Sequence, residues 1–524
     1  MKVVSVEEMK KIELRSFNDF GFSEKLIIEN VGVSAADYIQ ESFLNDTDFG
    51  EIIVVAGKGN NGADSLAIAR QLKNRGYSVR AFLLFPEEGT EDQKHQLELA
   101  RNFGVKISEV NSIDSFKAYF TQIQEQYLVI DGIVGTSFKT PLSNYLFEVI
   151  DTVNAHSTIT ISIDIPTGIT GDCGSISSTS ILADYTLAIG LPKVGHFVSE
   201  GAKRSGELIV LDAGLPSILL EEGDKYLLTP EVVSNIYLQR NKFAHKNTFG
   251  HTLLVGGSHG MTGALVMASN AALKVGTGLV TAATWESNYN ELTTRITPEI
   301  MTGLIPTERK EVVDIIKEFS RFDSVVLGPG LGRSQEGRAT VLEVLNNYSG
   351  PIVVDADAIR VLSLKEDREV FQRRKAPTIF TPHIGEFASF VGTTVDQILE
   401  KPMQYLKEMV DLTNSCFILK GACTYLAFPN GETYINYFPN DGMATGGSGD
   451  VLAGILGGML AQYTPEKKVS GMFEDKEKIF HALCLGVTLH TLAGKHAAIN
   501  LGERTMSAMN IIEHFSHAFK ELNE

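Results

Sequence analysis

The sequence predicts an α/β protein of two domains, each a parallel sheet covered by helices on both faces. Short, near-continuous apolar runs recur between longer segments of helical periodicity, the pattern of strands buried on both sides. The pattern runs twice, before and after a polar stretch at 216–224, and no short-period repeat underlies it, which argues against a solenoid or propeller. A length of 524 residues corresponds to about three average domains or, equally, to two large α/β units.

In chain order, Ser23 is positioned to cap a helix running to about residue 43. Ile52-Ile53-Val54-Val55-Ala56 is a buried strand ending in a Gly/Asn loop, and further strands are predicted at 79–85, 128–133, 158–165, 185–189 and 208–211. The second half repeats this grammar with strands at 252–255, 279–283, 324–327, 352–354, 378–380 and 416–419. Pro429-Asn430-Gly431-Glu432 between two β-rich runs predicts a hairpin, because Asn-Gly readily supplies two positive φ angles. The apolar segment 451–461 is a helix.

Composition narrows the function. A hydrophobic fraction of 43% and a charged fraction of 21% describe an ordinary globular chain. The net charge of -18 argues against a nucleic-acid partner, because a phosphate backbone needs a basic surface. It leaves room for a small phosphorylated ligand, which needs only local amides and one or two cations. Cys173, Cys416, Cys423 and Cys484 show no zinc-like spacing, and their scarcity suits a reducing compartment. The first ten residues lack the apolar core of a signal peptide, and no segment approaches the ~18 apolar residues of a membrane span. A cytoplasmic protein without a membrane partner is expected.

The chemistry concentrates in glycine-rich loops. Asn440-Asp441-Gly442-Met443-Ala444-Thr445-Gly446-Gly447-Ser448-Gly449-Asp450 runs straight into the 451–461 helix. The amides of Gly446, Gly447, Ser448 and Gly449 can converge on an anion, and the positive end of the helix dipole adds to their pull. Asp450 then stands where a base takes a proton from a hydroxyl attacking phosphorus. A Gly-rich turn before a core helix is the plainer alternative. In the first half, Gly57-Lys58-Gly59-Asn60-Asn61-Gly62-Ala63-Asp64 fits GxGxxG between a strand and a helix, a weak signal alone. Its paired asparagines can hold a ligand's amide or ribose, or an alkali cation through their carbonyl oxygens, and the loop also reads as a structural turn. Asp131-Gly132-Ile133-Val134-Gly135-Thr136 and Asp164-Ile165-Pro166-Thr167-Gly168 end two further strands, and ligands of open α/β sheets bind outside such ends.

These motifs together resemble a known family over almost the whole chain and in the right order. The first half resembles the NAD(P)H-hydrate epimerase domain, a Rossmann-like three-layer α/β/α fold, on GxGNNGxD, Asp131-Gly132 with Gly135-Thr136, and Asp164 to Gly168. The second resembles its usual fusion partner, the ADP-dependent NAD(P)H-hydrate dehydratase of the ribokinase-like superfamily, an α/β fold with a mostly parallel sheet. The carriers there are Gly256-Gly257-Ser258 with Gly260-Met261-Thr262-Gly263-Ala264, Gly328-Pro329-Gly330-Leu331-Gly332, Asp355-Ala356-Asp357-Ala358, Thr381-Pro382-His383, Lys420-Gly421-Ala422-Cys423-Thr424, and the loop ending at Asp450.

The resemblance implies an epimerase domain over 1–220 and a dehydratase domain over 226–524. It implies repair of hydrated NADH and NADPH. The first domain would interconvert the epimers at ring carbon 6, and the second would dehydrate the S form with ADP, through a phosphorylated intermediate, giving AMP and phosphate. By residue, it implies hydrate contacts in the epimerase at Asn60, Asn61, Gly62, Ala63, Asp64, Gly135, Thr136, Ser137, Phe138, Lys139, Thr140, Pro141 and Asp164, with Asp164 as the proton-handling group. Asn61, Asp131 and Thr167 would hold a potassium ion. In the dehydratase, Ala264, Gly330, His383 and Asp450 would contact the hydrate, with Asp450 as the base. Lys420, Gly421, Ala422, Cys423, Thr424, Asn440, Gly446, Gly447, Ser448 and Gly449 would contact the nucleotide. Magnesium and a homo-oligomeric state complete the expectation.

Two departures bear on it. The family usually has glycine where this chain has Ala63 and Ser65, and a positive φ at position 63 would cost alanine about 1 kcal/mol or more. The usual Lys-Gly after His245 is here Lys246-Asn247. The alternative is a small-molecule kinase of the same superfamily carrying a non-catalytic N-terminal binding module, since the glycine loop and its aspartate serve hydroxyl phosphorylation equally well.

Overall fold

The computed structural model describes residues 1–45, 49–123, 126–138, 141–234, 240, 242–305, 321–463 and 476–523. They form two compact units, 2–225 and 226–524, with Met1 counted to the second.

The first unit is built on a sheet of, among the described residues, seven strands: β1 (Glu51–Ala56), β2 (Val79–Leu83), β3 (Lys106–Glu109), β4 (Tyr127–Gly132), β5 (Ile159–Ile163), β6 (Tyr185–Ile189) and β7 (Glu207–Leu211). All neighbours are parallel and the order is β3-β2-β1-β4-β5-β6-β7. The apolar runs have no polar alternate because both faces are covered. On β1, Ile52, Val54 and Ala56 join one core with Leu66 and Leu72, while Ile53 and Val55 join another with Phe116 and Val149. The order turns between β1 and β4, whose last residues Ala56 and Gly132 are register partners, and that reversal opens a crevice at the strands' carboxyl ends.

Several elements differ from the sequence reading. Strand β3, Lys-Ile-Ser-Glu, is a polar edge strand and carries no apolar run to announce it. A helix at Val6–Phe20 precedes the expected one, capped by Ser5, whose hydroxyl accepts from the Glu8 N–H at 3.2 Å. Ser23 does occupy the N-cap of the helix Glu24–Ile39, but its side chain makes no capping hydrogen bond, and the helix continues as a wider π turn over Gln40–Leu44.

The second unit is a sheet in the order β11-β10-β9-β12-β13-β14-β15-β16-β17-β8. Its strands are β8 (Lys225–Leu227), β9 (His251–Val255), β10 (Leu279–Trp285), β11 (Met301–Ile305), β12 (Ser324–Leu327), β13 (Ile352–Val354), β14 (Thr378–Phe380), β15 (Cys416–Leu419), β16 (Cys423–Ala427) and β17 (Thr433–Tyr437). Pairing is parallel from β11 through β15 and antiparallel for β15-β16 and β16-β17. The mostly parallel α/β architecture is the one the sequence predicts. The hairpin turn is of a different kind. Only Gly431 has a positive φ, at 93°, the Gly431 N–H donates to the Phe428 carbonyl, and the Phe428 N–H donates to the Glu432 carbonyl. A type I turn followed by one left-handed glycine closes a three-residue loop, so Asn430 needs no unusual backbone. The helix Ser448–Tyr463 is buried nearly all round, which explains its continuous apolar sequence.

Candidate active sites of the two units

In the first unit, the crevice at the switch between β1 and β4 holds a cavity of about 580 Å3. Its wall takes Lys58 to Asn61 and Asp64 from the segment after β1, Ile133 to Ser137 from the segment after β4, Asp164 from the end of β5, and Lys193 from beyond β6. The backbone is close-packed here. A Cβ on Gly57 would lie 1.8 Å from the Ile133 carbonyl oxygen, and one on Gly62 would lie 2.1 Å from that of Gly57, so glycine is required at both. Ala63 is a different matter. It sits inside the helix Asn60–Asn74 without a positive φ, fully buried against Ile28 and Ala67. The backbone strain that glycine would relieve is therefore absent. Ser65 is likewise accommodated, its hydroxyl donating to the Gly62 carbonyl at 2.9 Å.

Asp164 is held in an unusual backbone conformation, φ 66°, by partners on every side. Its N–H donates to the Leu187 carbonyl at 2.8 Å, its carbonyl accepts from His196 Nε2 at 2.7 Å, and its carboxylate pairs with Lys193 Nζ. Lys193 is buried and also donates to the Ile189 carbonyl at 2.9 Å. His196 Nδ1 accepts from the Lys193 N–H at 3.0 Å, which fixes the ring proton on Nε2. Burial, helped by the Lys193 charge, lowers the His196 pKa to about 4, so the ring is a neutral strut. Asp64 Oδ1 is buried without a hydrogen-bond partner, and burial, with the charges of Asp164, Glu13 and Glu24, holds its carboxyl well above the usual carboxylate range.

Asp131 and Thr167 lie beneath this wall, fully buried. Asp131 accepts from Thr167 N (2.9 Å), Thr167 Oγ1 (2.7 Å), Ser162 Oγ (2.8 Å) and Ile133 N (3.2 Å). Burial pushes its carboxyl up while these bonds pull it down. Above them, both amide atoms of Asn61 are buried and unpartnered. Among the remaining expected residues, Gly62, Ala63, Phe138 and Pro141 are not part of the cavity wall, and Lys139 and Thr140 lie outside the described residues. Sequence reasoning missed Glu13, Lys193 and His196. The turn Leu191-Pro192-Lys193-Val194-Gly195-His196 after a predicted strand was a signal of the same kind as Asp131 and Asp164.

In the second unit, Asp450 lies in the first turn of the helix Ser448–Tyr463. Burial, with the charges of Asp355, Asp357 and Glu386 acting against that of Lys420, raises its carboxyl to about 7. Lys420, at the end of β15, pairs with buried Asp355 at 2.7 Å, and Thr381 Oγ1 donates to the same carboxylate oxygen at 2.7 Å. A Cβ on Gly449 would sit 3.1 Å from Lys420 Nζ, so the lysine ammonium lies against the glycine loop. Gly447 takes φ 98°, and nothing approaches within 4 Å of the Cβ position of Gly446. Ser448 is tied to buried His490, whose Nε2 donates to its carbonyl at 3.0 Å.

The other expected residues sit in turns tied by local bonds. The Ser258 N–H donates to the Gly330 carbonyl at 2.6 Å, joining the turn before the helix Thr262–Lys274, which carries Ala264, to the turn after β12. His383 bridges to Lys420 and caps the helix Ile384–Val391, with Nδ1 accepting from the Gly385 and Glu386 N–H groups at 3.0 and 3.3 Å. Thr424 Oγ1 donates to the Gly421 carbonyl at 3.3 Å, closing the turn through Ala422 and Cys423. Asn440 Oδ1 accepts from the Gly442 N–H at 3.1 Å, while its Nδ2 is buried and unpartnered.

A chain with an acid-lined crevice on one α/β sheet, and an elevated aspartate at a glycine-loop helix start on another, is a two-centre enzyme. A family model described as NAD(P)H-hydrate dehydratase matches residues 252–516, and one described as YjeF-related protein N-terminus matches residues 24–195. Two bifunctional NAD(P)H-hydrate repair enzymes are similar over the full chain. That of Moorella thermoacetica is 34% identical, covering 100% of this chain and 98% of its own, and that of Thermofilum pendens is 31% identical, covering 100% and 97%. A crystal structure of the ADP/ATP-dependent NAD(P)H-hydrate dehydratase of Bacillus subtilis, co-crystallised with ATP and Mg2+, is 26% identical, covers 57% of this chain and 98% of that one, and has a TM-score of 0.48. The chain belongs to the family of bifunctional NAD(P)H-hydrate repair enzymes.

Proposed function

We propose that the unit 226–524 dehydrates the S hydrate of NADH and NADPH with ADP, and that the unit ending near residue 220 interconverts the R and S hydrates. The observation that carries the reading is Asp450, with a carboxyl raised to about 7 at a helix N-terminus beside the Lys420–Asp355 pair. A base poised near neutrality accepts a hydroxyl proton and returns it within the same cycle. The ring hydroxyl attacks the terminal phosphorus of the nucleotide as Asp450 takes its proton. The amides of Gly446, Gly447, Ser448 and Gly449 and the helix dipole meet the charge that develops on the phosphoryl oxygens. Hydroxide is a poor leaving group and phosphate a good one. The ring nitrogen lone pair then expels phosphate, and loss of the neighbouring proton restores the reduced ring.

The hydrate is proposed to contact Ala264, Gly330, His383 and Asp450, and the nucleotide Lys420 to Thr424, Asn440 and the glycine loop. Magnesium keeps several waters and takes phosphate oxygens, so it would arrive with the nucleotide and supply charge neutralisation there. That fits a unit in which, among the described residues, no three His, Cys, Asp or Glu side chains form a metal cluster. Potassium suits the first unit. The unpartnered amide oxygen of Asn61, the Thr167 hydroxyl and buried Asp131 are hard oxygen donors, and the ion would compensate the Asp131 charge and fix the two loops. The four free thiols suit a reducing, cytoplasmic setting, and self-association is part of the same family reading. The name of the full-length relatives favours repair over a small-molecule kinase.

The test is to supply purified S hydrate and ADP and to measure orthophosphate and NADH together. Equal amounts of both support the proposal. AMP formation with a stable phosphorylated product and no NADH would replace it with the kinase.

A further inference from the structure

We propose that Glu13 is a catalytic residue of the first unit, an acid–base group acting on the hydrate together with Asp164. This rests on the epimerase reading of that unit. Glu13 lies on the helix Val6–Phe20, ahead of the segment 24–195 matched by the family model, and lines the same 580 Å3 cavity as Asp64, Asp164 and Lys193. Met9 and Phe17 of the same helix line that cavity, so the helix is a wall of the site and not a remote support.

The chemistry requires two proton-handling groups. Epimerisation at a carbon bearing both a hydroxyl and a ring nitrogen proceeds by loss and return of water. One acid protonates the hydroxyl, the C–O bond breaks, and the nitrogen lone pair forms the C=N bond of an iminium ion as water leaves. Water then adds to the other face of that carbon, the C=N electrons return to nitrogen, and a second group takes the proton released. No oxidant or reductant is needed, and the released proton returns through solvent. In the reverse direction the two groups exchange roles, so each must both give and accept a proton.

Of the other carboxyls lining the cavity, Glu24 accepts from the Asn60 amide and Glu88 is paired with Lys58, which points to Glu13 as the partner for Asp164. Asp164 is locked to Lys193 and to the Ile189 N–H at 3.3 Å. Asp64 lies deeper, buried with its Oδ1 unpartnered, and burial raises its carboxyl well above the usual carboxylate range. Glu13 has no hydrogen bond or ion pair among the described residues, and the charged groups facing it are Lys193, Asp164, Asp64, Glu24 and Lys10. Burial first, then Asp164 and Glu24 acting against Lys193 and Lys10, brings its carboxyl to about 7, where both protonation states are populated at neutral pH.

The experiment follows interconversion of pure R hydrate into S hydrate by chromatography, in the full chain, for wild type, Glu13→Gln and Glu13→Asp across neutral pH, with the second unit's dehydration of S hydrate as an internal control. The proposal expects kcat of Glu13→Gln to fall ~100-fold or more with KM nearly unchanged and the pH limb near neutrality lost. It expects Glu13→Asp to recover part of the rate, and dehydration to be unaffected. Wild-type epimerisation with an unchanged rate and pH profile in Glu13→Gln would overturn the role of Glu13 alone. A rise in KM with unchanged kcat would also overturn it, making Glu13 a binding contact. No epimerisation by the wild type would overturn both this role and the epimerase reading.

Discussion

Replacing Asp450 with asparagine should sharply slow dehydration and, at the same time, stabilise the second unit in a pH-dependent way. Its carboxyl moves from 3.8 to about 7 on folding, chiefly through burial. At ~1.4 kcal/mol per pH unit, keeping the charged form in the folded state costs ~4 kcal/mol at alkaline pH. The folded pKa lies above the unfolded one, so the stability gained by proton uptake is fully present below the unfolded pKa and is lost as pH rises through about 7. Asparagine has no such loss. The variant should therefore gain ~2–3 kcal/mol on wild type between about pH 5 and about pH 8, while its turnover falls ~100-fold or more. The assay is urea unfolding followed by tryptophan fluorescence. The chain's single tryptophan is Trp285, on β10, so the signal reports the second unit alone. A stability difference that stays constant with pH, or shrinks as pH rises, would refute the assignment of an elevated carboxyl to Asp450.

Further substitutions test other parts of the account. Ala63→Gly should not raise the epimerisation rate, because position 63 is helical, and should lower the melting temperature of the first unit through a loss of ~1 kcal/mol. Gly447→Ala imposes a left-handed φ of 98° on alanine and directs its Cβ to within 2.5 Å of Met267 Cε, so the loop amides shift. Calorimetric titration should show ADP affinity falling ~10-fold or more. Lys420→Met leaves Asp355 buried without its cation and should destabilise the second unit by ~3 kcal/mol, read by the same fluorescence signal, with weakened nucleotide binding.

The elements legible from sequence were those whose chemistry is local. Doubly buried strands such as β1, β4 and β12 carry their burial on every residue, so they show as apolar runs. The edge strands β3 and β11 have only one neighbour and expose much of their surface, and Lys-Ile-Ser-Glu and Met-Thr-Gly-Leu-Ile read as loop. The same division holds in the sites. Asp450 and the Asn60-Asn61 loop announce themselves by glycine spacing next to a helix start. Lys193 and His196 carry only the weaker signal of a turn after a strand, and Glu13 carries none, because what marks it is a shared cavity with Asp164 across more than a hundred residues of chain, which the fold alone supplies. The hairpin at Gly431 and the helical setting of Ala63 are of a third kind. Sequence located both correctly but could not choose the backbone conformation, which the surrounding packing decides.

The most direct test of the central claim is to add the enzyme to a mixture of both NADH hydrate epimers, with magnesium and potassium, and to follow the absorbance of the reduced nicotinamide with ADP and with ATP. Two working centres predict nucleotide-dependent recovery of all the NADH, including the part that began as the R epimer, on a timescale faster than spontaneous epimerisation. Recovery that halts once the S epimer is consumed would contradict the epimerase half of the account, and no recovery with either nucleotide would contradict the whole.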